Sequence, residues 1–132
     1  MFMRNWRDCQ VAVSHGRLWE WCVFTRRRGD RPDKETGEVM MNIDRYSRAL
    51  LLDELATELA SHPGEAEFLY VLQGRGYIQV GDVRRELRDG SSVQIPAGAE
   101  HVFANTGTAD LELLLMRRAP LQDGEEQLVV RN

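Results

Sequence analysis

The stretch GSSVQIPAGAEHVFAN, residues 90–105, decides how the rest of the chain reads. Gly90 turns the backbone into SVQIP (92–96), a short strand rich in β-favouring residues. Pro96, Ala97 and Gly98 then bend it through a tight corner, because proline presets φ and glycine accepts the positive φ that such corners need. HVFAN (101–105) resumes as a strand that opens on a histidine. Side-chain alternation can aim that imidazole into an interior.

The same grammar of short strand and turn recurs on both sides. LWEWCVF (18–24), EFLYVLQ (67–73), GYIQV (76–80), VRRELR (83–88) and LELLLM (111–116) are strand-like runs. Gly74-Arg75-Gly76, Gly81-Asp82, Asp89-Gly90 and Asn105-Thr106-Gly107 lie between them and supply hairpin chemistry. Regular short strands of this kind predict an all-β, antiparallel sandwich or barrel. One segment reads two ways. RALLLDELATELA (48–60) carries Leu51, Leu52, Leu55 and Leu59 at helical spacing, which alone predicts a short helix near 50–60. In context Leu50, Leu51 and Leu52 fit a buried strand followed by a turn, and an all-β domain needs a strand there. Strand is the preferred reading.

With 132 residues, 42% apolar and 29% charged, the chain is expected to form a single domain over 1–132 with a core of its own. A net charge of −4 speaks against nucleic acid or anionic membrane as a partner. The basic cluster TRRRGDR (25–31) reads as a solvated loop. No signal peptide or spanning segment is visible, which points to a cytoplasmic location. Cys9 and Cys22 lack metal or redox spacing and are expected to be free thiols.

Gly90, Pro96, Gly98, His101 and Asn105 fall on every fixed position of a known pattern: glycine, five residues, proline, one residue, glycine, two residues, histidine, three residues, asparagine. This resembles the second motif of the cupin superfamily, and implies a double-stranded β-helix, the jelly-roll barrel, with motifs spanning 54–105. The first motif of that family is glycine, five residues, His-x-His, then Glu and a closing glycine. His62, Glu67 and Gly74 match it, whereas Ala60 stands where the first histidine belongs and Glu54 where the leading glycine belongs.

The resemblance implies a metal site of His62, Glu67 and His101. Two imidazoles and a carboxylate suit a divalent transition metal, with Fe(II) the first choice and zinc, manganese or nickel as alternatives. The vacancy at Ala60 leaves either an open position for substrate or a weakened site. Glu58, which would share a strand face with Ala60 and His62, is a candidate substitute ligand or general base beside Glu67, and His15 is another candidate ligand. The expected function is a metal-dependent small-molecule enzyme, with dioxygenase, isomerase, lyase or cyclase chemistry in a biosynthetic or catabolic pathway. The alternative is a non-enzymatic cupin that binds a small ligand with a weakened or absent metal site. Trp6, Trp19 and Trp21 read as core or dimer contacts, and Tyr70 and Phe103 as barrel lining or core. A homodimer through the N-terminal strands (1–45) is expected.

Overall fold

The computed structural model describes residues 3–25 and 44–118. The basic cluster after Thr25 therefore lies outside the described residues. A single 3-10 turn, Trp6–Asp8, precedes nine strands: β1 Val11–Ser14, β2 Leu18–Thr25, β3 Arg45–Leu51, β4 Ala66–Gln73, β5 Gly76–Val80, β6 Val83–Leu87, β7 Ser92–Ile95, β8 His101–Asn105 and β9 Leu111–Arg118. They form a six-stranded sheet in the order β1-β2-β3-β9-β4-β7 and a three-stranded sheet in the order β6-β5-β8. All pairings between them are antiparallel. This is the all-β barrel that the turn grammar predicts.

Alternation builds the core. Leu111, Leu113 and Leu115 of β9 face inward with Leu69 and Val71 of β4, Ala49 and Leu51 of β3, Ile78 of β5 and Phe103 of β8. Each large apolar side chain buried this way contributes roughly 1.5–3 kcal/mol. Phe103 is in the core as expected, but Tyr70 is not: its neighbours Leu69 and Val71 take the interior, which turns Tyr70 outward to 37% exposure. Trp19 likewise lies on the surface, and Trp21 packs edge-on against Trp6 at 5.1 Å between ring centroids.

The turn residues of the deciding stretch behave as read, with Gly90 and Gly98 at φ +85° and +81°. Gly76 is required for a different reason. A Cβ there would stand 1.9 Å from the Ala104 carbonyl oxygen, across the β5–β8 ladder.

No helix forms over 48–60. The chain is strand through Leu51 and then runs irregularly beside β8, touching it by isolated bridges at Ala56–Ala104 and Ala60–His101. The backbone of this segment is satisfied by β8 instead of by a helix: Thr57 N–H donates to the Phe103 carbonyl, and Asn105 N–H to that of Leu55. The strand reading thus holds for the first residues only. The regular alternation that would have put Glu58, Ala60 and His62 on one face is absent.

Both sheets turn polar at one end of the barrel. Inward positions pass from Leu115 to Arg117 on β9, from Leu69 to Glu67 on β4, from Leu18 to Glu20 on β2, and from Phe103 to His101 on β8. Apolar packing gives way there to buried charge.

Candidate metal centre

Four side chains meet at this polar end: His15, His62, Glu67 and His101 each offer a ligand atom, and these atoms all lie within 4.8 Å of one another. Glu67 is central. Its Oε1 is 2.6 Å from His62 Nδ1, 3.2 Å from His15 Nε2 and 3.9 Å from His101 Nε2. Each ligand has its own structural anchor. Glu67 sits on β4 opposite Ile95 on one side and Arg117 on the other. His101 opens β8, and its main chain exchanges two hydrogen bonds with Ala60, at 2.8 and 3.0 Å. His62 precedes the Pro63-Gly64 turn, whose backbone is tied by Glu65 N–H and Gly98 N–H donating to the His62 carbonyl.

His15 arrives from elsewhere in the sequence. It occupies the β1–β2 turn, where His15 and Gly16 both adopt positive φ, +52° and +79°. A histidine in this conformation is uncommon, and such strain gathers at functional sites. The turn folds the imidazole inward until its side chain is fully buried. Of the two substitutes for the absent histidine at 60, His15 joins the cluster. Glu58 does not: it is exposed, its N–H donates to the His15 carbonyl at 2.9 Å, and its carboxyl lies over Gly16.

The donors are prepared to receive a cation. His62 Nδ1, Glu67 Oε2 and His101 Nε2 are all buried atoms without a hydrogen-bond partner; the short His62–Glu67 approach is not aligned as a hydrogen bond. Unpaired buried polar atoms are costly, and three on residues of one ligand cluster fit a bound metal ion. Tautomers agree as well. His101 Nδ1 donates to the Ala99 carbonyl at 3.0 Å, which leaves Nε2 free to ligate. Burial tends to raise the Glu67 carboxyl, but the hydrogen bond and charge of His15, with Arg117 and His62, outweigh it and hold its pKa below the ordinary range. Burial, aided by the charges of His15, His101 and Arg117, depresses the His62 pKa despite the opposing pull of Glu67. Both groups are thus in ligating form at neutral pH.

Access is one-sided. The side chains of His15, Glu67 and His101 are exposed by 1% or less, whereas that of His62 is 28% exposed. A cleft of about 520 Å³ lies along the ends of β4, β7 and β9, bordered by Glu67, Phe68, Ile95, Pro96, Met116 and Arg117. The cleft thus reaches Glu67 of the cluster, and His62 is its most exposed member.

Comparison with known proteins agrees with the fold. The family model for the cupin domain matches residues 53–117. The chain is a small cupin. Its jelly-roll overlays the structure of a predicted oxalate decarboxylase from Thermotoga maritima with a TM-score of 0.70, at 20% identity, covering 90% of this chain and all of that one. At that identity the likeness speaks for the fold. Among curated proteins, the cupin is 34% identical over 68 residues to the uncharacterized protein YrkC of Bacillus subtilis, 47% of this chain and 37% of that protein. It is 38% identical over 53 residues to protein SchB of Streptomyces halstedii, 40% of this chain and 38% of that one. The match thus spans well under half the length of both relatives. No helix among the described residues is long and apolar enough to cross a membrane, and both cysteines are free.

Sequence reasoning named all four cluster residues but did not place His15, and it passed over Glu20, Arg117 and Ser14 beside them. A signal for two of these existed. Glu20 interrupts the inward series between Leu18 and Cys22, and Arg117 continues the series Leu111, Leu113, Leu115. A charge at a core-facing position calls for a partner.

Proposed function

We propose that this cupin is a metal-dependent enzyme acting on a small molecule, with His15, His62, Glu67 and His101 as the protein ligands. The observation that carries this reading is a cluster of four ligand atoms within 4.8 Å of one another, with buried atoms lacking hydrogen-bond partners on three of its residues, His62, Glu67 and His101. A bound divalent metal would supply Lewis-acid polarisation of a substrate oxygen or, for a redox-active ion, a site for dioxygen. Fe(II) is the first candidate, followed by zinc, manganese and nickel. Imidazole and carboxylate donors suit all of them, and geometry and supply choose.

The residues divide the remaining work. The three imidazoles hold the cluster at the dry end of the barrel, where little water competes and electrostatic interactions are strong. Glu67 places a full negative charge at its centre. His62, on the solvent side, borders the route by which a substrate enters. Glu58 lies outside the ligand set, so as a general base it would serve only a substrate group standing over Gly16. What supports catalysis over bare ligand binding is His15. The case for a weakened site rested on Ala60, and His15 brings the donor count back to four.

The test uses protein purified without a histidine tag and loaded separately with Fe(II), zinc, manganese or nickel. Each form is screened for turnover of oxygen-rich small molecules, with dioxygen consumption followed for the Fe(II) form. Stoichiometric loading and turnover with one metal is the expected result. Protein that takes up none of these metals would overturn the reading.

A further inference from the structure

A second buried polar group adjoins the cluster, and metal ligation does not account for it. Glu20 is 1% exposed. It accepts from Ser47 Oγ at 2.7 Å and from Arg117 Nη1 and Nη2 at 3.2 and 3.1 Å, and Arg45 Nε stands 3.2 Å away. A buried ion pair of this kind is weak evidence for stability, since apolar residues of similar volume often serve as well. Its position suggests another use.

Two lines of contact run from Glu20 to metal ligands. Arg117, gripped through both Nη atoms by Glu20, brings its Nε to 3.5 Å from Glu67 Oε1. Ser14 Oγ stands 3.0 Å from His15 Nδ1, and the same side chain helps hold the Glu20 pKa down. A carboxylate only accepts, so a Ser14 proton turned toward Glu20 leaves the hydroxyl oxygen to accept from the imidazole. That keeps a proton on His15 Nδ1, so a bound ion would displace the Nε2 proton that now goes to Glu67 Oε1 and take the Nε2 lone pair. His15 has particular need of such help. It stands in a turn and not in a strand ladder, so beyond the Glu58 N–H bond to its carbonyl its ring contacts fix its orientation.

We propose that Glu20 is a positioning residue of the metal site, holding His15 in its ligating tautomer through Ser14 and steadying Glu67 through Arg117. This rests on the metal reading above. Partners behind metal-bound histidines set ring orientation and ligand basicity, and their loss typically weakens metal affinity about 10–100-fold.

The experiment measures zinc and Co(II) affinity by chelator competition on the full chain, the visible absorption of the Co(II) form, and the thermal melt of metal-free protein. Ser14→Ala is expected to weaken both metals about tenfold or more and to shift the Co(II) bands, while the metal-free melt stays close to the parent. Ser14→Thr, which keeps the hydroxyl, is expected to restore affinity and spectrum. Glu20→Gln is expected to weaken binding at least as much, and in a Ser14→Ala background to add only the part that runs through Arg117, because the Ser14 line is already cut. Should Glu20→Gln fail to fold, the Ser14 pair decides. Parent affinity and an unchanged spectrum in Ser14→Ala would overturn the inference while leaving the metal site standing, as would failure of Ser14→Thr to rescue. A parent protein that binds neither metal would overturn both.

Discussion

His15 Nε2 lies 3.2 Å from Glu67 Oε1, although 52 positions separate the two residues in the chain. The β1–β2 turn thereby delivers an imidazole to a cluster whose other members come from β4, β8 and the segment between β3 and β4. In the cupin pattern the corresponding histidine would stand at position 60. Here Ala60 is bound to His101 through the main chain, and a different turn supplies the ring.

The asparagine that closes the second motif has a structural task. Asn105 Nδ2 donates to the Leu51 and Ala109 carbonyls, at 3.0 and 2.8 Å, and its Oδ1 accepts from Gly107 N–H at 2.9 Å. It clamps the end of β3 to the turn leaving β8. Asn105→Ala strands buried backbone groups and is expected to cost about 2–4 kcal/mol in urea denaturation. Metal affinity should change by less than about twofold, since Asn105 sits at the far end of β8 from His101.

Acid should destabilise the metal-free protein in two stages. The folded His62 pKa is below its ordinary 6.5, so the unfolded chain protonates first and stability falls as pH drops below that value. The folded pKa values of Glu67 and Glu20 lie below 4.5. For Glu20, burial works upward and is outweighed by Arg117, Ser14, Ser47 and Arg45. Their stabilising contribution is complete above pH 4.5 and lost as pH falls through the folded values. Urea midpoints measured from pH 7 to 3 should decline throughout; midpoints that rise on acidification would contradict this assignment.

Glu54 carries a residual strain. It stands where the cupin pattern has glycine, and its φ is +63°. The left-handed region costs a side chain about 1–2 kcal/mol, partly offset because glycine raises the entropy of the unfolded chain. Glu54→Gly is expected to stabilise the protein by about 0.5 kcal/mol, read as a higher urea midpoint with an unchanged slope.

The N-terminal strands are expected to form a homodimer. Val11 and Val13 on the sheet-edge strand β1, and Trp19 on β2, are exposed apolar groups on one side of the molecule's larger sheet. Light scattering at micromolar concentration should report a dimer, and Trp19→Arg should shift it toward monomer. A monomeric parent would refute the interface.

What the sequence disclosed follows the range of the interactions concerned. The bounds of β5 and β8 were legible to the residue, because alternation and flanking glycines are local signals. Glu67 and His101 were legible through motif spacing. The segment after Leu51 was ambiguous because its leucines suit a helix, and only β8, distant in sequence, claims its backbone. His15 was a candidate without a place, and the alternation that marks Glu20 and Arg117 as buried charges does not say that they meet. Their partners lie 52 and 97 positions away, and no local pattern encodes such a contact.

The central claim is that His15 completes a metal site with His62, Glu67 and His101. Metal content and affinity of tag-free protein, compared between the parent and His15→Ala, test it most directly. The parent is expected to hold close to one transition-metal ion per chain, and His15→Ala to bind at least about a hundredfold more weakly with the metal-free fold retained. Parent protein that cannot be loaded, or a His15→Ala variant that binds as tightly as the parent, would contradict it.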